Sequence, residues 1–353
     1  QIPFKNVYVH GLLRDKDGKK FSKSSGNNID PIEVIEEYGC DALRISVLSG
    51  NTPGNDSRYY SEKVEAARNL VNKLWNISRF IFTNANGARQ IGSVTPKTLA
   101  DKWILARFSE TAKKVGSLID RYDFSLAIEV LRDFTWNDFA DWYLEIAKIE
   151  GEKSDVLLYI LERLLILWHP FAPFVTEEIY KNFDSGMIIV AKWPVVEHEL
   201  SSEDRDTFDR LRETVIAVRN LRAEYKIEPK RFIEIELTNA EQESENFLHI
   251  LCRLCKISNI GFDANEPGGK AIVGGATLVL HLESLVDSAK ERVRIVKDLE
   301  ETEKFIAAQE SKLANADFVA RAPEKVIAGE RQKLADLQEK LAALQKEHAA
   351  LVS

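Results

Sequence analysis

Sulfur is scarce in this sequence: three cysteines and one methionine among 353 residues. Three cysteines build no disulfide framework and fit a reducing compartment. Cys252 and Cys255 have C-x-x-C spacing, but Cys40 stands alone, and a zinc site needs two further ligands at matching spacing. Both lie in the apolar run FLHILCRLCKI, where a helix predicts burial rather than metal or redox work. Long apolar runs are also absent: none approaches the ~20 residues that cross a bilayer. The opening QIPFKNVYVHGLL reads as a strand under way and not as a signal peptide, which predicts a piece of a longer protein. A basic excess is missing too, with 48 Lys+Arg against 56 Asp+Glu and a formal net charge of −8. Nucleic-acid binders usually carry a basic face, so any such contact here has to come from local patches. Asp15 and Asp17 make no calcium loop, because no acidic residue follows at the twelfth position.

What is present is helical periodicity. DKDG (Asp15 to Gly18) is a turn signal, so residues 1–28 predict a hairpin followed by a polar loop. IDPIEVIEEYG predicts a helix with Asp30 as N-cap, Pro31 at its first position, Glu33 completing a capping box and Gly39 as its stop. From Ser61 to about Glu224 the pattern is mostly helical. Val64, Ala67, Leu70, Val71, Leu74, Ile77, Phe80 and Ile81 form one stripe, and later segments repeat the period. Thr176 opens one further helix, MIIVAKWP reads as extended, and a long helix covers about Ser202 to Tyr225. This predicts a helical bundle with short connections. Residues 226–283 change character: RFIEIEL, ISNIGF and ATLVLHL read as strands and EQESENFLHILCRL as a helix, a small α+β unit.

The tail differs again. Leu334, Leu337, Leu341, Leu344, His348 and Leu351 step by three and four, a heptad seam. Leu285, Ala289, Val296, Leu299, Ile306 and Leu313 match that register, and Arg292, Glu303 and Glu310 interrupt it. NADFVARAPEK breaks the pattern between them. The prediction is an antiparallel coiled-coil hairpin, with one long dimeric coil as the alternative. Residues 284–353 hold 12 basic and 13 acidic residues, so the tail is no polybasic arm.

The stretch GKKFSKSSGN (Gly18 to Asn27) concentrates lysine, serine and glycine around Phe21. Cations, hydroxyl and amide donors and little bulk suit a phosphate loop. The Walker spacing is absent, and composition alone favours a solvated hairpin end over a phosphate site. Lys20 to Ser24, KFSKS, resembles the KMSKS signature of class I aminoacyl-tRNA synthetases, with Phe21 in place of the usual Met. The continuation SKSSGNNIDPIEVIEEYGCDALRISVLSGNTPGNDSRYY resembles the valyl-tRNA synthetase family. So do RNLVNKLWNISRF, WNDFADWYLEIAK, WHPFAPFVTEEIY, RNLRAEYKI and ESKLANADFVARAPEKV. Nearly the whole chain is covered, least of all 240–280.

The resemblance implies a mainly α fold. A KMSKS-bearing α/β segment spans 1–60, an anticodon-binding helical bundle 61–225, the small α+β unit 226–283, and a coiled-coil tRNA-binding hairpin 284–353. It implies ATP-dependent attachment of valine to tRNA-Val in a monomeric cytoplasmic enzyme. Lys20 and Lys23 would hold the ATP phosphates as catalytic groups, supported by Ser22 and Ser24, with Mg2+ in the full enzyme and no resident metal. The HIGH motif of such enzymes is absent from this sequence, so the chain alone is expected to be inactive. Lys73, Asn76 and Phe80 fall on one helix face with Arg79 beside them, the implied anticodon contacts; packing of Phe80 in the core is the competing reading. Trp136, Phe139, Trp142 and Tyr143 have spacing that predicts core, and His169 and Pro170 read as a helix terminus. Arg219 and Arg222, with Lys226, Lys230 and Arg231 beyond, either touch the tRNA backbone or form a solvated face. Lys312 and Arg321 are candidates near the hairpin bend. An isoleucyl- or leucyl-type synthetase tail, or a non-catalytic tRNA-binding scaffold, are the alternative functions.

Overall fold

The computed structural model describes residues 3–85, 92–183, 186–238, 243–262, 268–281, 288–314, 329–330, 332–338, 341 and 345. The fold is mainly helical, as predicted, and divides into two units: Gln1–Ile216 with Gln242–Cys255, and Ala217–Glu241 with Lys256–Ser353.

In the first unit an extended stretch leads to β1 (Leu13–Arg14), followed by α1 (Pro31–Tyr38), α2 (Cys40–Leu48) and β2 (Ser57–Arg58), which pairs with β1 in parallel. The predicted hairpin shrinks to one antiparallel bridge between Arg14 and Lys20. The Asp15 carboxylate closes the turn in place of a strand ladder, accepting from the amides of Asp17 at 3.1 Å and Lys19 at 2.7 Å. A Cβ at Gly11 would lie 1.8 Å from the carbonyl oxygen of Asn55, so this crossing admits only glycine. α1 starts at Pro31 with Asp30 accepting from the Ile32 amide and Gly39 closing it at φ 91°, but the predicted capping box does not form, because Asp30 bonds the Ile32 amide and Glu33 returns no bond to it.

The bundle follows as α3 (Ser61–Asn84), α4 (Leu99–Asp120), α5 (Phe124–Asp133), α6 (Leu144–Glu150), α7 (Ser154–Trp168), α8 (Pro173–Tyr180) and α9 (Ser202–Glu224). Between α5 and α6 the helix continues as a ten-residue π-helix, Phe134–Tyr143. Its i→i+5 bonding brings side chains five apart onto one face. Phe134 and Phe139 accordingly stack at 6.1 Å, and Phe139 stacks on Tyr143 at 6.3 Å. With Phe108, Trp168 and Phe208 these rings are fully buried, each worth about 1.5–3 kcal/mol relative to exposure. The predicted stripe on α3 holds, except that Val71 and Phe80 are only half-buried. MIIVAKWP is not extended throughout: Ile188–Val190 form a 3-10 turn. α8 begins at Pro173, three residues before the predicted start, because Asp41 caps it from α2.

Beyond α9 come β3 (Ile233–Leu237), α10 (Glu245–Cys255), β4 (Ile257–Gly261), β5 (Gly268–Val273) and β6 (Ala276–His281). The strands form a sheet of order β4-β3-β6-β5, with β3 and β4 parallel and the other pairs antiparallel. β5 was illegible in the sequence, because glycines flank it at both ends and carry no side-chain period. α11 (Ser288–Ala314) follows. Its inward positions Leu299, Thr302, Ile306, Gln309 and Leu313 step by three and four. Glu303 and Glu310, expected to interrupt the seam, are exposed, and Thr302 and Gln309 point inward instead. Glu330 lies against α11: Gln309 Nε2 donates to the Glu330 carbonyl and Lys312 Nζ pairs with the Glu330 carboxylate, both at 3.0 Å. On a continuing helix twenty-one residues would span about 31 Å. Leu285, Arg321, Leu344, His348 and Leu351 lie outside the described residues. Among the described residues, no helix is long and apolar enough to cross a membrane.

Candidate functional site

The lysine loop is built on the Asp15 turn. Asn27 is its clasp: Oδ1 accepts from the Ser22 amide at 3.0 Å, and Nδ2 donates to Asp15 Oδ2 at 2.8 Å and the Lys20 carbonyl at 3.2 Å. The Asn27 amide, followed by the amides of Lys19 and Asp17, holds the Asp15 carboxyl below the usual carboxylate range. Behind the turn, Asp56 accepts from the Leu12 amide at 2.8 Å and pairs with Arg14 at 2.5 Å. Lys23–Ser25 form a 3-10 turn that ends at Gly26, whose φ of 67° suits glycine. Ser22 Oγ and Ser24 Oγ share a hydrogen bond at 2.8 Å. Lys20, Lys23, Ser24 and Ser25 are exposed, while Phe21 and Ser22 are half-buried. Neither Lys20 nor Lys23 has an ion-pair partner among the described residues. Two unneutralised cations beside hydroxyls on a fastened loop are chemically suited to a polyphosphate.

A second surface joins α3 to the π-helix and α6. Lys73 reaches Asp141 at 3.1 Å and lies 4.8 Å from the centre of the Trp136 ring. Lys148 lies 5.1 Å from the centre of the Phe80 ring and pairs with Glu145 at 2.6 Å. Asn76 and Arg79 are exposed beside them, as is Trp75 at 44%. Lys73, Asn76, Arg79 and Phe80 therefore do share one outer face, and Phe80 is at its margin rather than in the core. Trp136 departs from the core prediction: Phe139, Trp142 and Tyr143 are buried, but Trp136 is 37% exposed. The π-helix shifts the phase on which the α-helical reading relied. An aromatic surface with cations laid on its rings can stack an unpaired base and meet its phosphate.

The remaining candidates lie in the second unit. Arg219 is exposed. Arg222, read as part of a solvated or RNA-facing surface, is buried instead. Its guanidinium donates to the carbonyls of Glu228 at 2.5 Å and Arg231 at 2.8 Å and fastens the turn after α9. Lys226, Lys230 and Arg231 are exposed on that turn. Lys312 pairs with Glu330, and Arg321 is outside the described residues. Cys255 is buried and Cys252 half-buried; no group among the described residues could hold a metal ion. Sequence reasoning missed Asn27, Asp56, Asp41, Arg44, Trp136 and Lys148. Only the closeness of Asn27 to the lysines offered a signal for any of them.

Three family descriptions match this chain: "tRNA synthetases class I (I, L, M and V)" at residues 1–59, "Anticodon-binding domain of tRNA ligase" at 101–237, and "Valyl tRNA synthetase tRNA binding arm" at 287–351. The chain is 40% identical to the Valine--tRNA ligase of Listeria monocytogenes and to that of Geobacillus stearothermophilus, over 95% of its own length and 40% of each relative's. It thus spans 40% of the length of these curated relatives. A LeuRS from Agrobacterium radiobacter K84, solved in a ternary complex with tRNA and LeuAMS, aligns at 25% identity over 55% of this chain and 25% of its own, with a TM-score of 0.49.

Proposed function

The chain belongs to the valyl-tRNA synthetase family, and from that premise we propose that it forms the ATP-phosphate-binding and tRNA-binding part of a valine–tRNA ligase. The reaction has two steps. Valine and ATP give valyl-adenylate and pyrophosphate, and the valyl group then passes to the 3′ end of tRNA-Val. Lys20 and Lys23 stabilise the charge that builds on the departing pyrophosphate, and Ser22 and Ser24 support them. ATP arrives as substrate with its magnesium ion. The anticodon is read on the face of Lys73, Asn76, Arg79 and Phe80. Arg219 adds backbone contact, and the tail from α11 onward reaches the tRNA through Lys312 and Arg321. Four regions divide this work, at 1–60, 61–225, 226–283 and 284–353. The enzyme acts as a cytoplasmic monomer.

The observation that carries this reading is the pair of exposed lysines without ion-pair partners on a loop clasped by Asn27. The relatives' names and the match at 287–351 weigh against an isoleucyl- or leucyl-type tail. The test joins this chain to the N-terminal portion of the Geobacillus stearothermophilus enzyme. Valine-dependent pyrophosphate exchange should appear in the joined protein and be absent from the chain alone. Lys23→Ala should lower it ~10²–10³-fold, the usual cost of a lost preorganised donor. Unchanged exchange in Lys23→Ala would refute the role of the loop.

A further inference from the structure

α2 holds two charged side chains that the proposed chemistry does not use, the buried Asp41 and the exposed Arg44. Asp41, 5% exposed, accepts from the amides of Phe174 at 3.2 Å and Val175 at 2.7 Å. These amides belong to the first turn of α8, whose own N-cap residue, Ala172, offers no side-chain acceptor. Asp41 therefore caps α8 from a different helix, where a carboxylate also meets the positive end of the helix dipole. One turn further along α2, Arg44 donates to the carbonyls of Pro170 at 3.0 Å and Phe171 at 3.3 Å. The α7–α8 turn is thus gripped at both ends, its carbonyls by a cation and its amides by an anion. His169 Nδ1 lies 2.8 Å from Thr176 Oγ1, which in turn donates to the Ala172 carbonyl, so the turn is also tied internally.

The position of this clamp matters. α2 follows α1 directly, and α1 starts at Asp30, three residues after Asn27 and the lysine loop. On the other side, α7 and α8 both pack against α3, which carries the face of Lys73 to Phe80, and α2 itself also packs on α3, where Lys63 Nζ donates to the Ser49 carbonyl at its C-terminal end. Ala42 and Ile45 also bury α2 against its neighbours, but apolar contact is non-directional and tolerates sliding. Four hydrogen bonds to fixed backbone groups do not. We infer that Asp41 and Arg44 are positioning residues that join the lysine-loop segment to the bundle, so that RNA held on the α3 face is felt at the loop. This rests on the functional reading above.

The test uses this chain itself and a synthetic RNA hairpin with the sequence of the tRNA-Val anticodon stem and loop. Hydrogen–deuterium exchange is followed with and without saturating hairpin. In the wild type the hairpin should slow exchange across residues 20–34 at least about fivefold, the lower end of typical coupling between sites. Arg44→Ala and Asp41→Ala should reduce that effect below about twofold while the hairpin Kd stays within about twofold. Arg44→Lys, which retains one donor to the turn, should fall between and serves if Arg44→Ala fails to fold. A wild type that binds hairpin with no change at 20–34, or a change that survives in the variants, overturns the joint. A hairpin that does not bind overturns the anticodon reading, and the joint with it.

Discussion

Replacing Lys153 by methionine should test the bundle where it is most vulnerable. Lys153 is 7% exposed and meets two carboxylates: its ammonium lies 2.9 Å from both oxygens of Asp101 and 2.9 Å from Glu150. Thr98 Oγ1 is a further acceptor at 2.9 Å, and Tyr143 donates to Asp101 at 2.8 Å. The cluster thus ties the start of α4 to the π-helix, the end of α6 and the start of α7. Methionine fills much the same volume but leaves two buried carboxylates without their cation. Breaking one partner of a buried pair costs about 3–5 kcal/mol. In a unit of this size each kcal/mol moves Tm by about 2–4 °C, so a fall of roughly 6–20 °C follows. All six tryptophans lie between residues 75 and 193, so thermal unfolding followed by tryptophan fluorescence reports on the first unit alone. Burial pushes the Asp101 carboxyl up, but the Lys153 ammonium, the Tyr143 hydroxyl and the Lys97 amide outweigh it and hold the carboxyl below its ordinary value. A lowered carboxyl stabilises the fold above its unfolded pKa, and that stability is lost as pH falls through the folded value. The Lys153→Met penalty should therefore be full at neutral pH and shrink in acid. Asp101→Asn combined with Lys153→Met should cost clearly less than the sum of the two. A drop under about 1 kcal/mol, or strict additivity, would refute the argument.

Other perturbations test separate links. Gly11→Ala drives a methyl into the Asn55 carbonyl and should cost about 1–3 kcal/mol as overpacking; an unchanged urea midpoint would sink that reading. Asn27→Ala removes the clasp of the lysine loop. In the joined enzyme it should raise the KM for ATP while leaving hairpin binding unchanged, and an unaltered KM would show that the loop needs no clasp. Phe80→Ala should weaken anticodon-hairpin binding by about 1–3 kcal/mol, the range of one base stacked on a ring. Titration by fluorescence anisotropy checks this, and an unchanged Kd removes Phe80 from the contact.

Much of the architecture was legible because it depends on local pattern. The apolar stripe of α3, the Asp30–Pro31 start of α1, the strands β3, β4 and β6 and the lysine loop all follow from spacings within about a dozen residues. What escaped was long-range or depended on backbone phase. Trp136 turned outward because ten residues adopt i→i+5 bonding, which no 3.6-residue period anticipates. Arg222 turned inward because the carbonyls it binds come from the chain's own next turn.

The sequence by itself determined the helical class and the family, since each is written in contiguous residues. Only the tertiary structure decided which charges serve which purpose. Asp15, dismissed as a calcium ligand, became the anchor of the loop once Asn27 reached it across twelve residues. Asp41 and Arg44 acquired a role only when the α7–α8 turn, more than 120 residues away, came to lie against them. A buried carboxylate or guanidinium needs partners, and packing, not sequence order, supplies them.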